Sequence, residues 1–299
     1  MASKYDNINS HVVSAYKSLC KRGYTVVRVL GEGISSIVFL AVDDKKKKYA
    51  IKFILIHVDE SYDDTMDAID NELVILKRTT KHKFNTPKFI SGYQDSVIID
   101  KESDKVQDKK NKLRYEYVFF ILEYIKKGIP LGDFYYDHLP SKDNIQTWQK
   151  IFLNLCQIME KLHKLKIIHL DLHAYNILVD HKLDIYVLDF GLSYYNNLLW
   201  IPIGGKLSPP EHYKNKVSEY SDVYQLGLLM AEIITKTETI DYDSNLDSYE
   251  RSKDILKAFT PKLMKDELFE PWGPIVSRMI HPEYTSRPTM KEVLELYEK

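Results

Sequence analysis

The spacing of apolar residues changes period near Gly128, and that change restricts the chain to a β-rich part followed by a helical one. Before it, YTVVRVL, SIVFLAV and YAIKFILI are β-branched and aromatic runs separated by GEG and by DDKKKK. Such runs between turn-forming residues predict an antiparallel meander. The Lys-rich turn from Lys45 to Lys48 is then a solvated hairpin tip. One amphipathic helix interrupts the strands, over about Thr65 to Lys77, because Met66, Ile69, Leu73 and Leu76 share a face. KFISGYQ and YVFFILEYI predict two more strands, and the charged DKESDKVQDKKNK between them predicts an exposed hairpin insertion. After Gly128, Trp148, Ile151, Leu155, Ile158 and Leu162 mark a long helix. The remainder is mainly helical, apart from short strands at ILV and IYVLDF. No repeat and no Pro/Gly/Ser linker divides the 299 residues. The expected fold is therefore α+β and two-lobed, with a small antiparallel sheet lobe holding one helix and a larger helical lobe.

Three segments carry chemistry. Leu30 to Val38 reads LGEGISSIV, between the first two strands. Gly31 and Gly33 would let main chain approach phosphate oxygens, and Val38 would cover a flat base. GxG turns are common, so this loop alone has little weight. YAIK places Lys52 at the end of an apolar stretch, where an ammonium needs a counter-charge. Glu72, on the amphipathic helix, is a candidate partner, one turn before the core-facing Leu76. The most specific segment is HLDLHAYN, residues 169–176, followed by ILV and then by Asp189-Phe190-Gly191. Phosphoryl transfer to a hydroxyl needs a carboxylate beside the attacking oxygen and hard oxygen ligands for Mg²⁺. Asp171 suits the first task, Asn176 and Asp189 the second. A zinc pair made by His169 and His173 lacks a correctly placed third ligand.

On these motifs the chain resembles the eukaryotic-type protein kinase superfamily from about Tyr24 to its C-terminus. The resemblance implies a kinase domain over residues 24–299, with an N-lobe to 125 and a C-lobe from 126, and a packed N-terminal extension over 1–23. It implies ATP and Mg²⁺ as cofactors and a protein as substrate. Lys52 would bind phosphate, with Glu72 as its helix partner. Leu30, Gly31, Gly33, Ser36, Val38, Ala50 and Leu178 would surround the nucleotide. Leu122 would be the gatekeeper, and Glu123 to Ile125 the hinge whose main chain binds adenine. Asp171 would be the catalytic base, and Asn176 and Asp189 the metal ligands. Leu76, Phe89, His169 and Phe190 would stack as a column anchored by Asp222. Ser208-Pro209-Pro210-Glu211 resembles the family's APE motif, and Glu211 would pair with Arg287 in TSRPTM.

The chain departs from the family at four places. Ser36 stands at the third glycine, Leu170 at the Arg before the catalytic Asp, and His173 at the usual Lys. IPIGGKLSPPE lacks the usual Thr and Tyr. Imidazole at 173 could donate one hydrogen bond, or add charge as imidazolium. Ala174 and KLSPPE resemble tyrosine kinases, whereas HxDLHxxNIL also occurs in Ser/Thr and tyrosine-kinase-like branches. The expected acceptor is Ser or Thr ahead of Tyr. Leu170 offers no charge to a phosphate, and hydroxyls between Leu192 and Ser208 are limited to Ser193, Tyr194, Tyr195 and Ser208. Activity is therefore expected without phosphorylation of that segment. The rivals are a small-molecule phosphotransferase on a kinase-like fold and a nucleotide-binding pseudokinase. The first generally lacks the Glu211–Arg287 pairing, and the second usually loses the Lys, the catalytic Asp or the metal Asp.

Composition narrows the partners. The formal net charge is −1, from 42 basic and 43 acidic residues, which offers no global field for nucleic acid. Cys20 and Cys156 are expected as reduced thiols, since two cysteines build no disulfide framework. The most apolar stretch, Tyr117 to Ile125, is too short to span a bilayer, and MASKYDNINSHVV has no apolar signal core. A soluble, cytoplasmic monomer is expected, in a host cell's cytosol if the source is a virus or pathogen.

Overall fold

The structure, a computed structural model, describes residue 13 and residues 15–33, 36–57, 62–100, 112–195, 208–238 and 248–299. The chain divides into two compact units, Met1–Asp70 with Pro87–Lys126, and Asn71–Thr86 with Lys127–Lys299.

The first unit is built on a five-stranded antiparallel sheet of β1 (Thr25–Glu32), β2 (Ser36–Val42), β3 (Lys48–His57), β4 (Phe89–Asp100) and β5 (Lys112–Glu123). Their order is β1-β2-β3-β5-β4. Successive side chains alternate faces. One face presents Phe39, Ile51, Phe53, Phe119 and Ile121 to a core that Ala15 and Leu19 complete from a helical segment over residues 15–21. That segment is held by more than burial. Ser18 donates to Asp95 Oδ2 at 2.7 Å, the Arg22 guanidinium lies 3.8 Å from the Tyr93 ring centre, and Tyr16 meets Phe39 edge-on. Lys45 to Lys48 are exposed at a hairpin turn, where the Lys47 N–H donates to the Asp43 carboxylate. β4 and β5 run further than expected: Asp100 and Lys112, read as ends of the insertion, pair with each other across the ladder. The rest of that insertion, residues 101–111, lies outside the described residues.

Helix α1 (Tyr62–Lys81) leads into the second unit. It is longer than the apolar stripe predicts, and Arg78 and Lys81 in its last turn complement the helix dipole. The other helices are α2 (Leu131–Asp137), α3 (Ile145–Lys164), α4 (Glu219–Thr235), α5 (Ser248–Leu263), α6 (Trp272–Met279) and α7 (Met290–Tyr297). α3 buries the predicted stripe of Trp148, Ile151, Leu155, Ile158 and Leu162. α4 is buried on nearly every side, from Ser221 to Ile234, as a helix apolar all round must be. Gly227 permits its closest approach, because an added Cβ would lie 2.6 Å from the Met279 Cβ. No helix among the described residues is long and apolar enough to cross a membrane.

Short strands border the loops of this unit: β6 (Ile129–Pro130), β7 (Ile167–Ile168), β8 (Ile177–Val179), β9 (Ile185–Val187) and β10 (Tyr194–Tyr195). β8 matches the ILV run. The IYVLDF strand stops at Val187, and two residues on Asp189 takes a positive φ of 58°, outside extended geometry.

Glu211 and Arg287 form the buried ion pair read from the sequence. Arg287 Nη1 and Nη2 each donate to one Glu211 oxygen, both at 2.9 Å. The carbonyls of His281, Tyr220 and Pro282 take the remaining guanidinium hydrogens, and Ser221 donates to Glu211 Oε1. Every donor of the guanidinium is thus used, which offsets its desolvation. Arg287→Met strands the carboxylate without its cation, so unfolding in urea should show a loss of about 3–5 kcal/mol. A midpoint unchanged from wild type would show that the pair holds nothing.

Candidate active site

In the first unit, strand register places the expected nucleotide residues on the sheet face opposite the aromatic core. Gly31 pairs with Val38, Val38 with Lys52, and Lys52 with Phe120, forming one row across four strands. The next row joins Leu40, Ala50, Leu122 and Phe89. Lys52 is only 6% exposed, whereas Leu30, Val38, Ala50 and Leu122 are partly open. A Cβ added to Gly31 would meet nothing within 4 Å, so there is open space beside the main chain there. Gly33 donates its N–H to the Ser36 carbonyl at 2.7 Å, closing the turn. Residues 34 and 35 of this loop lie outside the described residues. At the end of β5 the Glu123 N–H donates to the Lys88 carbonyl, and its carboxylate pairs with Lys88 Nζ at 3.2 Å. Ile125 is buried two residues on.

In the second unit, residues 169–176 form a loop between β7 and β8, fastened to α4. The buried Asp222 carboxylate accepts from the His169 N–H and the Leu170 N–H, and from His163 Nε2, all at 2.8 Å. The Gln225 side chain donates to the Leu170 carbonyl at 2.9 Å and accepts from the Leu172 N–H at 3.1 Å. Asp171 is thus flanked by fixed peptide groups while its own side chain stays partly exposed. Asn176 Nδ2 donates to the Asp171 carbonyl and to its Oδ2, at 3.0 and 2.9 Å. His173 Nδ1 accepts the Tyr175 N–H, so a neutral ring carries its proton on Nε2, which lies 3.7 Å from Asp171 Oδ2.

The Asp189 loop is tied to the same frame. Leu188 donates its N–H to the Asn176 carbonyl at 2.8 Å, and its own carbonyl accepts from His169 Nε2. Asp189 Oδ1 accepts the Gly191 N–H at 3.1 Å. Of the expected stacked column, His169 and Phe190 are in ring contact at 5.2 Å, and Leu76 is buried in this unit. Glu72 is 3% exposed on α1, and Leu178 lies on β8 opposite Tyr186. The second unit therefore brings Asp171, His173, Asn176 and Asp189 onto two adjoining loops. Burial pushes the Cys156 thiol up to about 12, so it stays protonated inside α3.

Two residues that organise this site, His163 and Gln225, escape a reading of the sequence. Their signal is slight: Gln225 is a lone amide within the apolar VYQLGLLM, and His163 is one of several polar residues in EKLHKL.

The residues present fit Mg·ATP. Asn176 has its amide nitrogen engaged by Asp171, which leaves its oxygen as a ligand, and Asp189 adds a carboxylate. Among the described residues no cluster of three or more His, Cys, Asp or Glu could hold a metal alone. A sparse oxygen set suits Mg²⁺, which takes much of its coordination from phosphates and water.

Residues 24–297 match the family described as Protein kinase domain. A probable LIM domain-containing serine/threonine-protein kinase of Dictyostelium discoideum is 24% identical over 295 residues, covering 97% of this chain and 41% of the relative. A probable serine/threonine-protein kinase of the same organism is 36% identical over 171 residues, 55% of this chain and 13% of the relative. A probable LRR receptor-like serine/threonine-protein kinase of Arabidopsis thaliana is 28% identical over 299 residues, 89% of this chain and 30% of the relative. The chain spans less than half the length of each. With its fold, its ordered motif loops and this match over nearly its whole length, the chain belongs to the protein kinase domain family.

Proposed function

We propose that the chain is an active protein kinase that uses Mg·ATP to phosphorylate protein hydroxyls, Ser and Thr ahead of Tyr. The observation that carries this is the hydrogen-bonded set of Asp171 and Asn176, with Asp189 on the loop tied to it through Leu188. When bound, Mg·ATP supplies the phosphoryl group and a metal charge that offsets the developing negative charge. Lys52 binds phosphate with Glu72 as its partner, and the glycine loop with Ser36 covers the phosphates. Leu30, Val38, Ala50, Leu122 and Leu178 offer apolar surface to the base, and Glu123 and Ile125 offer main-chain groups. Asn176 and Asp189 hold the metal. Asp171 Oδ2 is held by Asn176, so Oδ1 is left to orient the acceptor hydroxyl and take its proton. His173 directs its Nε2–H beside the transferring group. The similarity to serine/threonine-protein kinases supports Ser/Thr preference, as does a polar residue after Leu172. Residues 24–299 are the proposed kinase domain, with 1–23 as its extension.

Mg·ATP at a hundred times its Kd should stabilise the chain by about 2.7 kcal/mol, read as a rise in melting temperature. Asp189→Ala and Lys52→Met should each fold yet lose about a hundredfold or more in transfer to a generic protein acceptor. Phosphoamino-acid analysis of the acceptor should return mainly phosphoserine and phosphothreonine. Wild-type rates in Asp189→Ala would remove the metal assignment.

The same reading holds that activity needs no phosphate on the activation segment. Leu170 supplies no cation, and the buried Ser193 hydroxyl donates to the His169 carbonyl. Tyr195 is buried on β10, with the Arg78 guanidinium 5.3 Å from its ring centre. Phosphatase treatment should leave the initial rate unchanged, and so should a Tyr194→Phe, Tyr195→Phe double variant. A large drop in both would reverse this assignment.

A further inference from the structure

α4 presents Asp222 and Gln225 three residues apart, hence on one side of the helix. The two side chains make different hydrogen bonds to one loop. Asp222 is acceptor-only and takes two main-chain N–H groups. Gln225 offers both polarities. Its Nε2 donates to the Leu170 carbonyl and its Oε1 accepts the Leu172 N–H, so the amide spans the two residues on either side of Asp171.

That span matters because the loop is bent where a large side chain resists bending. Leu170 has φ of 65° and is fully buried. A non-glycine residue in the left-handed region persists only where its surroundings over-determine it. Here the N–H of Leu170 is fixed by Asp222 and its carbonyl by Gln225. Leu170 has no polar side-chain atom with which to steady itself, so both restraints come from α4. Gln225 is also costly where it stands: it is 3% exposed in a helix that is apolar on nearly every side. A buried amide is retained without loss only when its groups are bonded.

We propose that Gln225 is a positioning residue for phosphoryl transfer, setting the main chain from Leu170 to Leu172 so that the Asp171 carboxylate stands ready for the acceptor hydroxyl. This rests on the kinase reading above. Its effect is on the geometry of the base and not on nucleotide binding. A misplaced group of this kind lowers turnover while leaving ground-state affinity in place.

The test compares the full chain with Gln225→Met, which keeps length and volume but neither donor nor acceptor, and with Gln225→Glu, which keeps the acceptor. Steady-state transfer to a generic protein substrate gives kcat and the KM for ATP, and amide hydrogen exchange reports the Leu172 N–H. Gln225→Met should lower kcat about tenfold to a hundredfold with KM for ATP within about twofold, and should speed exchange at Leu172. Gln225→Glu should keep Leu172 protected and recover part of kcat. Should Gln225→Met not fold, Gln225→Glu carries the comparison: protection at Leu172 with a lowered kcat supports the assignment, and wild-type kcat overturns it. Wild-type kcat in a folded Gln225→Met, or unchanged exchange at Leu172, also overturns it. If the unaltered chain transfers no phosphate, the kinase reading fails by itself. The exchange comparison then still decides whether Gln225 holds the loop.

Discussion

A buried carboxylate is the most demanding group to place in a fold, and Asp222 is fully buried on the most enclosed helix of the second unit. Its charge is tolerable only because two loop N–H groups and an imidazole converge on it. Each of those partners is thereby fixed. His163 ties α3 to α4, and His169 and Leu170 tie the loop to α4. His169 then hands the constraint on through its ring, which bonds the Leu188 carbonyl and packs on Phe190. Asp189 sits between those two residues. The positions of the proposed base and of a proposed metal ligand thus follow from one anchored charge.

The first unit solves a different problem by alternation. A strand shows one face to each side, so β2, β3 and β5 can bury Phe39, Ile51, Phe53 and Phe119 on one side while Val38, Ala50, Lys52 and Leu122 occupy the other. The helical segment over 15–21 seals the aromatic side. The other side can then carry a row that starts at a glycine and holds a buried lysine. A slip of one residue in β3 would exchange the two faces and put Lys52 into the aromatic core. The register is therefore under strong selection by packing alone.

Much of this was legible in the chain, and the limits have physical causes. Period-two runs and helical stripes identify the strands of the sheet and the long α3, because burial on one face leaves a periodic trace. The α+β class follows from them. Ends were less legible: α1 outruns its apolar stripe at both ends, and IYVLDF stops as a strand at Val187, two residues before Asp189 leaves extended geometry. Two-residue strands such as β7 and β10 leave no trace, because they exist only where loops meet. HLDLHAYN and DFG were legible as chemistry through side-chain type and order. The hands that hold them were not. Gln225 acts on main-chain atoms of distant residues, which have no signature in sequence, and His163 meets the Asp222 carboxylate from a helix 59 residues away.

Further main-chain contacts couple α1 to the loops. Asn71 precedes Glu72 on that helix and is buried, and its Nδ2 donates to the Ser193 carbonyl at 2.6 Å. The Ser193 hydroxyl in turn donates to the His169 carbonyl at 3.0 Å. One short chain of hydrogen bonds therefore runs from α1 through the start of the activation segment to the loop that carries Asp171. Neighbouring residues on a helix are separated by about 100°, so any roll of α1 that swings Glu72 must also move Asn71. Such a roll breaks a buried bond and strands a carbonyl, at a cost of about 1–3 kcal/mol. β10 restrains the other side of Ser193 by pairing Tyr194 with Ile168 and Tyr195 with Ile167. The orientation of α1 and the path of the segment's first residues are thus two expressions of a single packed arrangement, held by these hydrogen bonds and by Arg78 of α1 against the Tyr195 ring.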